Sequence, residues 1–165
     1  MTPTHTVCHF LVFMLCVVGG AGTNNDYRRP ILHAIAATGV TIHAPLAFGE
    51  RLRTLVQRSR IVLNLRSFGN ADEFKMSRLM LMFANSAFVL SEDMGVEGDV
   101  GPYREGMVIV PARDLPNAVQ YYLQRPLLRA KIGETGHQIF AARTQAAMLR
   151  DPVAKLVQRA GCQQS

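Results

Sequence analysis

At 165 residues and a net charge of +6, the chain has room for one domain with one core and too little for a two-domain enzyme. Hydrophobic residues make up 48% and charged residues 18%, which excludes a disordered chain. The basic balance suits an anionic partner such as a nucleotide or phosphate, but the arginines are scattered and aromatic residues reach only 7%, so no nucleic-acid-binding stripe is indicated.

Phe10 to Val18 is an apolar run followed by Gly19-Gly20-Ala21-Gly22. Two readings fit these letters: a signal-peptide core with its cleavage site, or a buried β-strand closed by a glycine turn. No Lys or Arg precedes Phe10, and the run is shorter than the ~20 residues of a spanning helix. The helix-forming stretch beyond the glycines favours the strand, so no membrane span is expected. Tyr27 to Thr38 places Ile31, Leu32, Ile35 and Ala36 on one helical face, and Gly39 supplies a stop. Val40 to Ala44 reads as a second strand, Gly49 to Ser59 as a second helix, and Arg60 to Leu65 as a third strand apolar enough for burial on both faces.

A loop over Ser67 to Asp72 leads to a helix from about Glu73 to Ala84 and a fourth strand at Ala87 to Ser91. Glu92 to Gly106 is rich in glycine and acidic residues and reads as a functional loop. Met107 to Val110 forms a fifth strand, Leu115 to Leu123 a helix with Asp114 as its N-cap, and Pro126 opens a helical run to Ala147. Strands alternating with helices predict an α/β fold: a Rossmann-like, doubly wound parallel sheet of about five strands with C-terminal helices. Its ligands are expected beyond the carboxyl ends of the strands.

The chemical motifs are sparse. Glycines at 20 and 22 would let backbone N–H groups approach a phosphate at the next helix, or would merely let strand and helix pack. The third glycine of GxGxxG is Asn25 here, and the second strand ends without an acidic residue for a ribose, which disfavours a dinucleotide dehydrogenase. Markers of acyl transfer, zinc hydrolysis and P-loop chemistry are absent. Cys8, Cys16 and Cys162 form no CxxC and no ligand spacing with the histidines, so neither a metal site nor a disulfide framework is expected, and a reducing, cytoplasmic setting fits best. His33 and His43 read as packed side chains and His137 as a solvated helix residue.

From Phe13 to Arg143, the segments GGAGTNNDYRRPILHAIAATGVTIHAP, GERLRTLVQRSRIVLNL, SRLMLMFANSAFVLSED, YREGMVIVPARDLPNAVQYYL and RAKIGETGHQIF resemble, in order and spacing, the C-terminal domain of GT-B glycosyltransferases of the CgeB-like and family 1-like groups. The resemblance implies a nucleotide-sugar-binding domain over residues 10–150, with residues 1–9 unmatched and 151–165 a tail. It implies a nucleotide diphosphate sugar as ligand, transfer of a hexose-type sugar, no cofactor and no metal. It also implies an acceptor-binding partner, either a separate domain or a second copy in a homodimer. A degenerate, non-catalytic nucleotide- or partner-binding module, as a fragment of a larger glycosyltransferase, is the alternative. Carried over by position, the substrate-binding residues are Gly20, Gly22, Arg28, Arg29, Asn64, Arg66, Arg78, Ser91 and Glu92, while no catalytic residue is assigned. The chain departs from the pattern at Met80, where relatives carry a ribose-binding carboxylate, and at Arg66 and Asn85, where they often have His and Gly.

Overall fold

Short apolar runs separated by amphipathic stretches fold as an open sheet with helices on both faces, because a strand apolar on both sides must be covered twice. The computed structural model describes residues 13–17, 25–44, 46–66, 76–93, 95 and 100–143. In chain order the elements are β1 (Phe13–Val17), α1 (Arg28–Ala36), β2 (Ile42–His43), α2 (Gly49–Gln57), β3 (Ser59–Asn64), α3 (Met76–Ala84), β4 (Val89–Glu92), β5 (Met107–Val110), α4 (Leu115–Leu123) and α5 (Pro126–Ala142). The strands lie in the order β2-β1-β3-β4-β5, and every pair is parallel. The doubly wound Rossmann-like fold expected from the sequence is present. The order reverses between β1 and β3, and open sheets of this kind hold ligands outside the carboxyl ends of the strands at that point.

Alternation along the central strands builds a core on each face. Ile61, Leu63 and Leu65 join Phe88 and Leu90 beneath Ile35 of α1 and Leu115 and Val119 of α4. Val62 and Val89 face the other way, towards Leu55 and Val56 of α2 and Leu79, Met82 and Phe83 of α3. The register pairs Val62 with Val89 and Asn64 with Ser91, so like-facing residues sit side by side.

Several local details depart from the sequence reading. The polar stretch 92–106 is not a free loop throughout: Glu92 ends β4, and Gly101–Gly106 forms a 3-10 helix whose buried Tyr103 stacks on Phe83 with ring centroids 5.0 Å apart. Asp114 makes no capping bond; a 3-10 turn at Ala112–Asp114 leads into α4 instead. His33 is exposed, and His137 is half-buried, its Nδ1 donating to the Phe83 carbonyl at 3.1 Å. α3 ends with Ser86 N–H on the Phe83 carbonyl and Ala87 N–H on that of Met82, and Ser86 takes the left-handed conformation, φ 51°, that glycine usually supplies.

α5 packs by backbone contact. A Cβ on Gly106 would lie 2.3 Å from the Gly136 Cα, and one on Gly133 would lie 2.4 Å from the Ser86 carbonyl oxygen. Neither neighbour can swing away, because both are main chain. Gly106→Ala is therefore expected to cost about 1–3 kcal/mol through overpacking. Urea denaturation should show a lower midpoint at an unchanged slope, whereas Gln138→Ala on the exposed side of α5 should leave the midpoint where it is.

Candidate functional site

The carboxyl ends of β3 and β4 place Leu65, Arg66 and Glu92 beside the amino ends of α1 and α3. Glu92 is the centre of this group. It is 2% exposed, and two hydrogen bonds and an ion pair hold its carboxylate: the Tyr27 hydroxyl donates to Oε1, the Arg66 backbone N–H donates to Oε2 at 3.1 Å, and the Arg66 guanidinium pairs with it, Nε lying 3.5 Å from Oε1. Arg66 also donates from Nη2 to the Asp93 carbonyl at 2.7 Å, which anchors its far end. A buried carboxylate left without such partners would cost several kcal/mol, so the set is mutually dependent.

Arg28, also 2% exposed, turns inward from the first position of α1. Its Nε donates to the Arg66 carbonyl at 2.5 Å and its Nη2 to the Leu65 carbonyl at 2.9 Å. The side chain thereby clasps α1 to the end of β3. Burial lowers its pKa from the usual arginine value, as does the like charge of Arg78, while Glu92 acts in the opposite direction. Arg78, in the first turn of α3, is likewise lowered by burial, and its Nη1 is buried with no hydrogen-bond partner among the described residues. The guanidiniums of Arg66 and Arg28 thus both feel the buried Glu92 carboxylate, and Arg78 lies near enough to Arg28 for their like charges to interact.

The helix ends reinforce this positive field. Helix amino termini carry partial positive charge and ordinarily favour Asp or Glu in their first turns. Neither α1 nor α3 has an acidic residue there; both have arginine instead. Such a surplus of donors and charge suits a phosphoryl anion.

Seven of the residues proposed from sequence are described, and five of them meet here: Arg28, Arg66, Arg78, Ser91 and Glu92. Asn64 adjoins them. Asn64 and Ser91 are both buried, the Asn64 amide donating to Ser91 Oγ at 3.0 Å and the Ser91 hydroxyl to the Glu92 carbonyl at 2.9 Å, so both tie strand ends together. Arg29 points to the surface and pairs with the exposed Asp26 at 3.1 Å. Gly20 and Gly22 lie outside the described residues. Met80 packs against the core between α2 and α3, in keeping with an apolar side chain. Tyr27 was missed by sequence reading; nothing in the letters before Arg28 marks it, since its role depends on a contact 65 positions away. Among the described residues no three His, Cys, Asp or Glu side chains gather as a metal site, and no helix is long and apolar enough to cross a membrane.

A doubly wound parallel sheet with a cluster of arginines at the carboxyl ends of its central strands has the layout in which open α/β domains hold their ligands. Residues 15–149, well over half of the chain, match the glycosyl transferase-like family, and the chain belongs to that family. Among solved structures, the sucrose-phosphate synthase of Thermosynechococcus elongatus is similar over 91% of this chain and 39% of that one, with a TM-score of 0.54 and 16% identity. At that identity the likeness is one of fold, a GT-B-type Rossmann-like domain, and this chain spans about two fifths of that enzyme's length. No curated protein matches the sequence.

The Tyr27 contact carries a pH dependence. Burial, then the hydrogen bond to Glu92 and its negative charge, push the phenol up to about 12. Folding therefore favours the neutral phenol: its contribution is intact below about pH 10 and is lost as the pH rises towards about 12. Urea midpoints measured across that window should fall less steeply in Tyr27→Phe than in the unaltered chain, with the half-buried Tyr122 phenol, also raised, supplying part of the remaining slope.

Proposed function

We infer that this glycosyltransferase-type domain binds a nucleotide diphosphate sugar at the carboxyl ends of β3 and β4, and presents the sugar for transfer to an acceptor held by a second domain or a second copy of the chain. The observation that carries the reading is Arg78 Nη1, a buried donor with no hydrogen-bond partner among the described residues, close enough to Arg28 for their like charges to interact. A diphosphate supplies the charge and acceptor oxygens that Arg78 lacks.

The proposed roles rest on burial and bonding. Arg78 and the guanidinium of Arg66 meet the diphosphate, while Arg28, Asn64, Ser91 and Glu92 hold the strand ends and helix in place around it. Arg29 lies at the rim, and Gly20 and Gly22 are proposed to bring backbone N–H groups to the same phosphates. During transfer a nucleophilic atom of the acceptor bonds to the sugar's anomeric carbon and gives up its proton to solvent, while the bond from that carbon to the phosphate oxygen breaks and the nucleoside diphosphate leaves with the electron pair. Fixed arginines aimed at the leaving oxygens stabilise that charge without reorganising. A cytoplasmic location, where nucleotide sugars are available, completes the proposal.

Calorimetric titration with uridine, guanosine and thymidine diphosphates tests it. At least one is expected to bind, and Arg78→Gln should weaken it by about 1.5–3 kcal/mol, the worth of a hydrogen bond to a charged group. Arg29→Ala should change the affinity by well under 1 kcal/mol, because its exposed pair with Asp26 is a weak surface interaction. No binding by any of the three, or equal affinity in Arg78→Gln, would reject the assignment.

A further inference from the structure

The amino end of the sheet carries a second basic feature, remote from the site above. A cavity of about 230 Å³ lies where α2 ends, β3 begins, the α3–β4 turn passes and α5 starts. Arg60 and Arg129 line it together with Ser59, Gln57, Asn85 and Ser86, and among the described residues no carboxylate does.

The two arginines are close enough to repel. Burial and the charge of Arg60 both hold the Arg129 guanidinium below the usual arginine range. Arg129 cannot withdraw, because its Nη1 donates to the carbonyls of Tyr122 and Leu123 at the end of α4. Arg60 is exposed and free to turn. The polar neighbours provide no countercharge and are largely committed elsewhere: the Gln57 amide donates to Asn85 Oδ1 at 2.8 Å, the Asn85 amide to the Leu81 carbonyl at 2.7 Å, and the Ser59 hydroxyl to the Leu55 carbonyl at 2.6 Å. The wall formed by Pro126 and Ala130 is the first turn of the 17-residue α5, which has neither an acidic residue nor a side-chain cap there, so its dipole adds to the same positive field.

Folded chains ordinarily place a carboxylate between neighbouring arginines or keep them apart. A fixed guanidinium and a movable one lining the same cavity, with no carboxylate among its described lining residues, have the chemistry of an oxyanion receptor. The volume sets the size of the guest. It lies below the roughly 300–1,000 Å³ of pockets for drug-sized ligands, and so suits a phosphoryl group with few further atoms rather than a nucleoside diphosphate.

We propose that this cavity is a second anion site that takes inorganic phosphate or the phosphoryl group of a small phosphomonoester, with Arg129 as its fixed contact and Arg60 as its closing one. The site is independent of the nucleotide reading, since no residue is shared between the two ends of the sheet.

The test is an NMR titration of the full isotope-labelled chain with sodium phosphate against sodium chloride at matched ionic strength. Saturable shifts are expected in the amides of residues 59–61, 85–87 and 127–130. Arg60→Gln should weaken phosphate binding by ~10-fold, as loss of one charge-assisted contact predicts, while its thermal midpoint and its response to uridine diphosphate stay unchanged. Absence of saturable shifts at those amides, or equal affinity in Arg60→Gln, would overturn the proposal. Vesicles of phosphatidylcholine with phosphatidic acid form a further arm. Binding to them that Arg60→Gln abolishes, with no response to free phosphate, would also overturn it, because the arginines would then serve a membrane surface and not a site for a small anion.

Discussion

The carboxylate of Glu92 is the interaction on which the upper end of this domain depends. It stands at the end of β4, is almost wholly buried, and is contacted from three directions: from the segment before α1 through Tyr27, from the backbone after β3 through Arg66 N–H, and from the Arg66 guanidinium. Each donor belongs to a part of the chain that must be in its native place for the charge to be buried at tolerable cost. Arg28 then adds a second clasp over the same ground, holding the Leu65 and Arg66 carbonyls from the start of α1. Two oppositely charged, buried side chains thus fix one helix to two strands where an open α/β sheet would otherwise be least constrained.

That arrangement explains why cations can be placed at helix amino ends at all. Arginine in the first turn of α1 and α3 opposes the helix dipole. For Arg28 the opposition is offset by two carbonyl acceptors and by the field of Glu92; for Arg78, whose Nη1 has no hydrogen-bond partner among the described residues, no such offset is seen. The difference separates the residues that build the site from the one that has bonding capacity to spare. It also accounts for the pairing of Asn64 with Ser91, which saturates the polar groups on the α3 side of the strand ends and keeps β3 and β4 in register next to the charged cluster.

Much of the architecture was legible because it rests on local pattern. The apolar run IVLNL, the stop at Gly39 and the proline that opens α5 each act through nearest neighbours, and the elements they predict lie within a few residues of those observed. The site was legible in part: Arg28, Arg66, Arg78, Ser91 and Glu92 could be named from the family resemblance, but not what each does. Whether an arginine is a clasp or a free donor depends on which carbonyls lie within its reach, and those are contributed by segments 37 or more positions away. Burial of Tyr103, the bond of His137 and the role of Tyr27 escaped for the same reason. The close approach of Gly106 to Gly136 was hidden too, since a glycine in a helix reads as a weakness until the backbone packed against it is known.

The strand β3 joins two ends of opposite electrostatic design. After its carboxyl end Arg66 sits in a network with a buried carboxylate at its centre; at its amino end Arg60 faces Arg129 with no carboxylate between them among the described residues. The first arrangement balances its charged core with Glu92, and an anion there would meet Arg78 Nη1, which has no hydrogen-bond partner among the described residues. The second carries repulsion in the folded state, tolerated because Arg60 is exposed and solvent screens it. An anion bound at either end is linked to folding, since it occupies a constellation that the unfolded chain does not assemble. The gain differs in kind: at the carboxyl end it comes from giving a buried donor its missing acceptor, and at the amino end from relieving like-charge repulsion. Added salt weakens the second effect more strongly than the first, because screening acts on exposed charges and leaves a buried, geometrically fixed hydrogen bond largely intact.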